Sequence, residues 1–180
     1  MIRVEDKVVD VSTLHNETLS AVVIPRFFGH HSLLRGEADT GSSMHFVTEY
    51  AFDVFGHVVQ WELYSNAERT VQLQIWRPEP EIAAFRYALV GQVVAQINEG
   101  QNSIALAADQ VIHVSPGDVI GWFMEGVQSI PYDTEDDCPN STVRRVYRTV
   151  GDVTILDVSG HPQGWFRQYS VKASYRSGDR

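Results

Sequence analysis

A chain of 180 residues with 43% hydrophobic and 11% aromatic side chains carries enough apolar surface for a substantial core and is the size of one domain. Fourteen basic against twenty-three acidic residues give a formal charge of -9, which repels a phosphate backbone and sets nucleic acid aside as a partner. No apolar run approaches the roughly 20 residues that span a bilayer, so membrane insertion is not expected, and the opening MIRVEDKVVD lacks the apolar centre of a signal peptide.

Alternation at Ile2, Val4, Val8, Val9 and Val11 predicts one or two short strands, and residues 21–24 form another short apolar run ended by Pro25. Residues 26–43 contain three glycines and no sustained period, which reads as a long irregular loop. Long loops inside compact domains tend to be functional, so this one is a candidate for binding.

The strongest strand signals run from His45 to Arg77. Val59, Trp61 and Leu63 lie on one strand face with Val58, Gln60, Glu62 and Tyr64 opposite; Val71, Leu73 and Ile75 repeat the pattern with Gln72, Gln74 and Trp76 opposite. The intervening residues 65–69 read as a turn, so the two strands are expected to pair as a hairpin with a wetter, Gln-rich outer face. Each buried Val, Leu or Ile contributes roughly 1.5–3 kcal/mol, so a slip of one residue would turn the whole apolar set outward.

Pro78 and Pro80 end that strand. A strand around Tyr87 and Leu89 follows, with a bend at Gly91, then Val93, Val94 and Ile97, a turn at residues 98–102 and a short strand at 103–106. Val111 and His113 lead into Ser115-Pro116-Gly117-Asp118, where Pro presets the first corner of a turn and Gly supplies the second. Val119, Ile120, Trp122 and Phe123 read as the return strand of a second hairpin. An acidic loop at 133–140, strands at 143–150, 153–158 and 165–175, and a frayed tail at 176–180 complete the chain. No segment sustains an apolar period of 3.6 over three turns. The expectation is therefore an all-β fold, a single domain over residues 1–175 built as a jelly-roll-like antiparallel β-sandwich.

The sequence between Gly56 and Tyr132 carries a pattern: Val59-Gln60-Trp61-Glu62-Leu63-Tyr64, Leu73-Gln74-Ile75-Trp76-Arg77-Pro78, Tyr87-Ala88-Leu89-Val90-Gly91, Pro116-Gly117-Asp118-Val119-Ile120-Gly121-Trp122 and Ile130-Pro131-Tyr132. It resembles uncharacterised β-sandwich modules of extracellular proteins from marine invertebrates and, more loosely, of bacterial surface proteins. The resemblance covers about the middle half of the chain. It implies an extracellular recognition, adhesion or matrix role and carries no catalytic motif.

Several residue groups are candidates for chemistry. Asp133, Glu135, Asp136 and Asp137, close to Asn140, offer oxygens for Ca²⁺, which takes six to eight, although the spacing is not that of an EF-hand; a solvated loop facing Arg144, Arg145 and Arg148 accounts for the same residues. Seven histidines include the adjacent His30 and His31 and the scattered His15, His45, His57, His113 and His161. A cupin-like metal site would require folding to gather three of them, and the His-x-His signature of cupins is absent. Trp76, Arg77 and Tyr132 are candidate ligand-binding residues, because flat aromatic faces suit sugar rings and the alternation places Trp76 away from the main core; Trp122 and Trp165 read more simply as packing.

No Gly-x-Ser-x-Gly elbow supports a serine hydrolase. The single cysteine, Cys138, sits in an acidic setting that disfavours its thiolate. Asn16-Glu17-Thr18 and Asn140-Ser141-Thr142 have the form of glycan acceptors in a secretory setting.

The expected function is a non-enzymatic, extracellular recognition or adhesion module that binds a glycan or matrix component, with Ca²⁺ as a candidate cofactor and oligomers available through edge strands. A cupin-like metal-dependent enzyme and a purely structural extracellular matrix domain remain as alternatives.

Overall fold

Alternating apolar residues form strands along the chain, and the computed structural model describes them over residues 26–134, 142–147, 153–158 and 165–178. Among the described residues the strands are β1 (Arg26–Gly29), β2 (Ser43–Ala51), β3 (Gly56–Ser65), β4 (Arg69–Pro78), β5 (Arg86–Ile97), β6 (Gly100–Ala105), β7 (Ile112–Val114), β8 (Val119–Met124), β9 (Tyr132–Thr134), β10 (Thr142–Tyr147), β11 (Ile155–Asp157), β12 (Trp165–Tyr169) and β13 (Val171–Ser177). Antiparallel pairing assembles a five-stranded sheet, β1-β13-β3-β6 with β7 also on β3, and an eight-stranded sheet, β11-β5-β4-β8-β2-β10-β12-β9. The architecture is the expected jelly-roll-like sandwich, and no helix occurs among the described residues. None of them is part of a helix long and apolar enough to cross a membrane. The expected strands before residue 26, Cys138, and the sequon asparagines Asn16 and Asn140 lie outside the described residues.

The main core lies between the sheets, where Val58, Trp61 and Leu63 of β3 and Val171, Ala173 and Tyr175 of β13 join Val71, Leu73 and Ile75 of β4 and Ile120 and Trp122 of β8. Val58 rather than Val59 takes the inner position. Gln60 pairs with Ser174 and Val58 with Tyr175, which leaves Val59 as an extra residue on β3 and switches the alternation at that point.

The other face of the large sheet has its own small core: Met44, Phe46, Trp76, Val119, Leu156 and Val158. This corrects the expectation for Trp76. The alternation does place it opposite Leu73 and Ile75, but that face is covered and Trp76 is fully buried. Its ring meets Phe46 edge-on at 5.3 Å, and its Nε1 donates to Gln74 Oε1 at 3.1 Å. Gln74 is buried as well, donating to Gln72 and Gln92, so the Gln-rich face is not wet there.

Neither expected hairpin forms. β3 lies between β13 and the β6/β7 strands, and β4 lies between β5 and β8, so residues 65–69 cross from one sheet to the other. Each strand has one apolar face that needs cover, and placing them in opposite sheets lets those faces cover each other. β7 and β8 also belong to different sheets. At their crossing the carboxylate of Asp118, fully buried, accepts from Ser115 N at 2.8 Å, Arg77 Nε at 2.7 Å and Arg77 Nη2 at 2.8 Å. The final run is two strands rather than one: β12 ends in the large sheet, Ser170 turns, and β13 continues in the small sheet. β13 also extends to Ser177, and Gly178 N donates to Phe55 O, so the ordered chain runs past the boundary expected at residue 175.

Asp118→Ala removes both arginine bonds and leaves the Ser115 amide without its acceptor. It is expected to destabilise the fold by about 2 kcal/mol, read in urea melts as a lower midpoint with an unchanged slope.

Candidate functional site

The segment between β1 and β2, singled out by its lack of period, leaves the small sheet at Gly29. Its φ is 100° and an added Cβ would lie 2.4 Å from Val171 O, so only glycine fits. The loop is then fastened along its length. Leu33 O accepts from Ser170 Oγ at 2.5 Å, and the Glu37 and Tyr132 backbones exchange hydrogen bonds of 3.1 and 2.8 Å. Arg35, whose side chain is 8% exposed, donates to Ser170 Oγ at 2.9 Å and to Asp133 Oδ2 at 2.8 Å. Gly36 N donates to the other Asp133 oxygen.

A cleft of about 550 Å³ opens between this loop and the large sheet, lined by Phe27, Gly29, His30, His31, Leu33, Arg35, Tyr50, Asp133 and Gln168. Phe27 is 51% and Tyr50 42% exposed. His31 packs on Phe27 with ring centroids 5.6 Å apart, His30 meets Tyr50 edge-on at 5.5 Å, and Lys172 Nζ stands 5.3 Å from the Phe27 ring. The cleft thus combines aromatic surface with donors and acceptors held on three strands and a pinned loop.

The end of the loop is fixed by a buried network. Asp39 Oδ2 is 3.1 Å from His45 Nε2 and accepts a short bond from the Tyr169 hydroxyl, while Oδ1 accepts from Arg167 Nη1 at 2.7 Å. The His45 ring stacks on Trp122 at 5.0 Å and 11°, and the Arg167 guanidinium lies 4.0 Å over the Tyr132 ring. Burial alone would raise the Asp39 pKa, but hydrogen bonds from His45, Tyr169 and Arg167 and attraction to His45 outweigh it and hold the carboxyl far below its ordinary 3.8. Burial and the neighbouring Asp39 charge push the Tyr169 hydroxyl well up. With Asp39 and His45 side chains 3% and 0% exposed, this His–Asp pair is closed to a substrate and serves to fix the loop.

The sequence candidates fall in separate places. Trp76 is in the second core and unavailable for stacking on a ligand. Arg77 is bound to Asp118, and Tyr132 is 5% exposed beneath Arg167. β4 and β9 stand five places apart in the large sheet, and Trp76 packs in the second core while Tyr132 packs in the main one, so the two aromatic candidates do not share a site. Asp133 lines the cleft but is engaged by Arg35; Glu135, Asp136 and Asp137 lie outside the described residues. Among the described residues no three His, Cys, Asp or Glu converge; His15 and His161 lie outside them. Asp39, Arg167 and Tyr169 carry no local motif, since their meeting depends on strand order. His30 and His31 were within reach of the sequence because they sit in the aperiodic loop; Phe27 falls in the same 26–43 stretch but lies on β1, a four-residue strand too short for a period to reveal.

No family model and no curated protein matches this chain. Among solved structures, a clostridial cysteine protease after propeptide cleavage overlaps with a TM-score of 0.48 at 6% identity, covering 86% of this chain and 40% of that one. This chain therefore spans less than half the length of that protease chain, and a likeness at this level says nothing about activity.

A group whose folded pKa is depressed stabilises the fold above its unfolded value, and that contribution is lost as pH falls toward the folded value. Stability is therefore expected to decline below about pH 4 as the unfolded Asp39 takes up protons while the folded one does not. Asp39→Asn should cost about 3 kcal/mol at pH 7 and flatten that acid limb, as read from urea melts between pH 7 and 3.

Proposed function

We propose that the chain is a non-enzymatic, extracellular recognition module that binds a carbohydrate in the cleft beneath the residue 30–42 loop. The observation that carries this reading is the pairing of the exposed Phe27 and Tyr50 rings with His30, His31, Asp133 and Gln168 in one open depression. A sugar has an apolar ring face and a rim of hydroxyls, and this lining offers a surface for each. The loop is held by Asp39, Arg35 and Glu37, so little ordering is left to be done on binding, which favours useful affinity from a small contact. Resemblance to extracellular β-sandwich modules supports the same role. Asp133 already neutralises the largely buried Arg35, so lending its oxygens to Ca²⁺ would strand that cation; the cleft reading therefore requires no calcium.

A glycan array followed by calorimetry on the best ligand, with and without EDTA, tests the reading. Tyr50→Ala and Phe27→Ala are each expected to weaken binding about tenfold, or about 1.4 kcal/mol, with melting temperatures within a few degrees of the parent. Absence of any glycan ligand, or affinity unchanged in both variants, would overturn it.

A further inference from the structure

His57 and His113 are far apart in the chain, yet the register of β3 and β7 sets them directly opposite each other. Side chains facing each other across an antiparallel pair point to the same side, with Cβ atoms about 4.5–5.5 Å apart. Gly56 and Val58 flank one histidine and Ile112 and Val114 the other, and all four are buried, so alternation turns both imidazoles to the outer face of the small sheet. Their ring centroids are 5.6 Å apart at 69°. They border a shallow cleft of about 590 Å³ that also contains Gln60 and Arg176.

We propose that His57 and His113 form a two-imidazole site for a divalent transition-metal ion of the zinc or copper class. Imidazole nitrogen suits those metals rather than Ca²⁺ or Mg²⁺. With nitrogen–metal bonds of about 2.0–2.1 Å, two rings on one ion have centroids roughly 5–6 Å apart, which is the separation already present. The backbone on both sides is fixed. Ile112 is packed so closely against Gly91 that a Cβ there would lie 2.9 Å from it, and the turn after β7 is locked by Asp118. Metal capture therefore needs side-chain rotation but no backbone movement. Two protein ligands leave the remaining positions open to water or to a donor from a bound molecule. Arg176, the cross-strand neighbour of His57 on β13, opposes the cation and limits affinity.

Titration of the purified chain with Zn²⁺ and Cu²⁺ by calorimetry, with Mg²⁺ and Ca²⁺ as controls, tests the site. One ion per chain at a micromolar dissociation constant is expected for Zn²⁺ and Cu²⁺. His57→Ala or His113→Ala should each weaken it at least tenfold, His15→Ala and His161→Ala should leave it unchanged, and Arg176→Gln should tighten it severalfold. As a readout on the unaltered chain, the electron paramagnetic resonance spectrum of bound Cu²⁺ should show two coordinated nitrogens. Binding no tighter than millimolar, binding that survives both histidine variants, or binding lost instead with His15 or His161 would overturn the proposal.

Discussion

The fold depends on the chain crossing between its two sheets at points where polar side chains meet the backbone groups of the turns. Among the described strands the chain changes sheet six times, and a polar side chain serves the four crossings after β3, β5 and β7 and before β13. Ser65 Oγ lies 2.6 Å from both Ala67 O and Ser129 Oγ; Asn102 bonds the Asn98 amide and carbonyl; Asp118 takes the Ser115 amide; Ser170 bonds the Leu33 carbonyl. The buried ones, Ser65, Asp118 and Ser170, are tolerated beside a dense apolar core because they are satisfied, and each fixes where its crossing occurs. The apolar faces of β3 and β4 can then meet across the core instead of lying side by side.

The same principle connects the loop to the interior. Asp39 is a charge carried into the core by a segment that otherwise runs over the surface, and it is compatible with burial because Arg167, Tyr169 and His45 all meet it. Trp122 and Tyr132 then pack against those partners, so the loop end is continuous with the main hydrophobic cluster. The wall of the cleft inherits rigidity from a strand order that brings β2 and β12 close together.

Burial also decides where ligands can be received. The outer face of the large sheet carries Trp76, Phe46, Leu156 and Val158 as a second core. The small sheet keeps a polar outer face, with Gln60, Glu62, Ser103 and Lys172 linked across strands. Phe27 and Lys172 stand at the cleft end of that face, and His57, His113 and Arg176 form a row further along the strands.

By itself the sequence determined the all-β class, most strand positions, the aperiodic loop from His30 onward though not the strand β1 ahead of it, and the inward sets Trp61, Leu63, Val71, Leu73 and Ile75. These follow from alternation, a period-2 property of the local backbone. It also placed Trp76 on the face opposite Leu73, but could not say that residues 153–158 would cover that face. The sheet to which each strand belongs was decided only in the tertiary structure, because turn residues such as Ser115-Pro116-Gly117-Asp118 suit a hairpin and a crossing alike. The partner Arg77, contributed by another strand to the buried Asp118 carboxylate, distinguishes the two. The same holds for Asp39 with Arg167, Phe27 with Tyr50, and His57 with His113: their proximity is set by strand order and register, which arise from packing between residues distant in the chain.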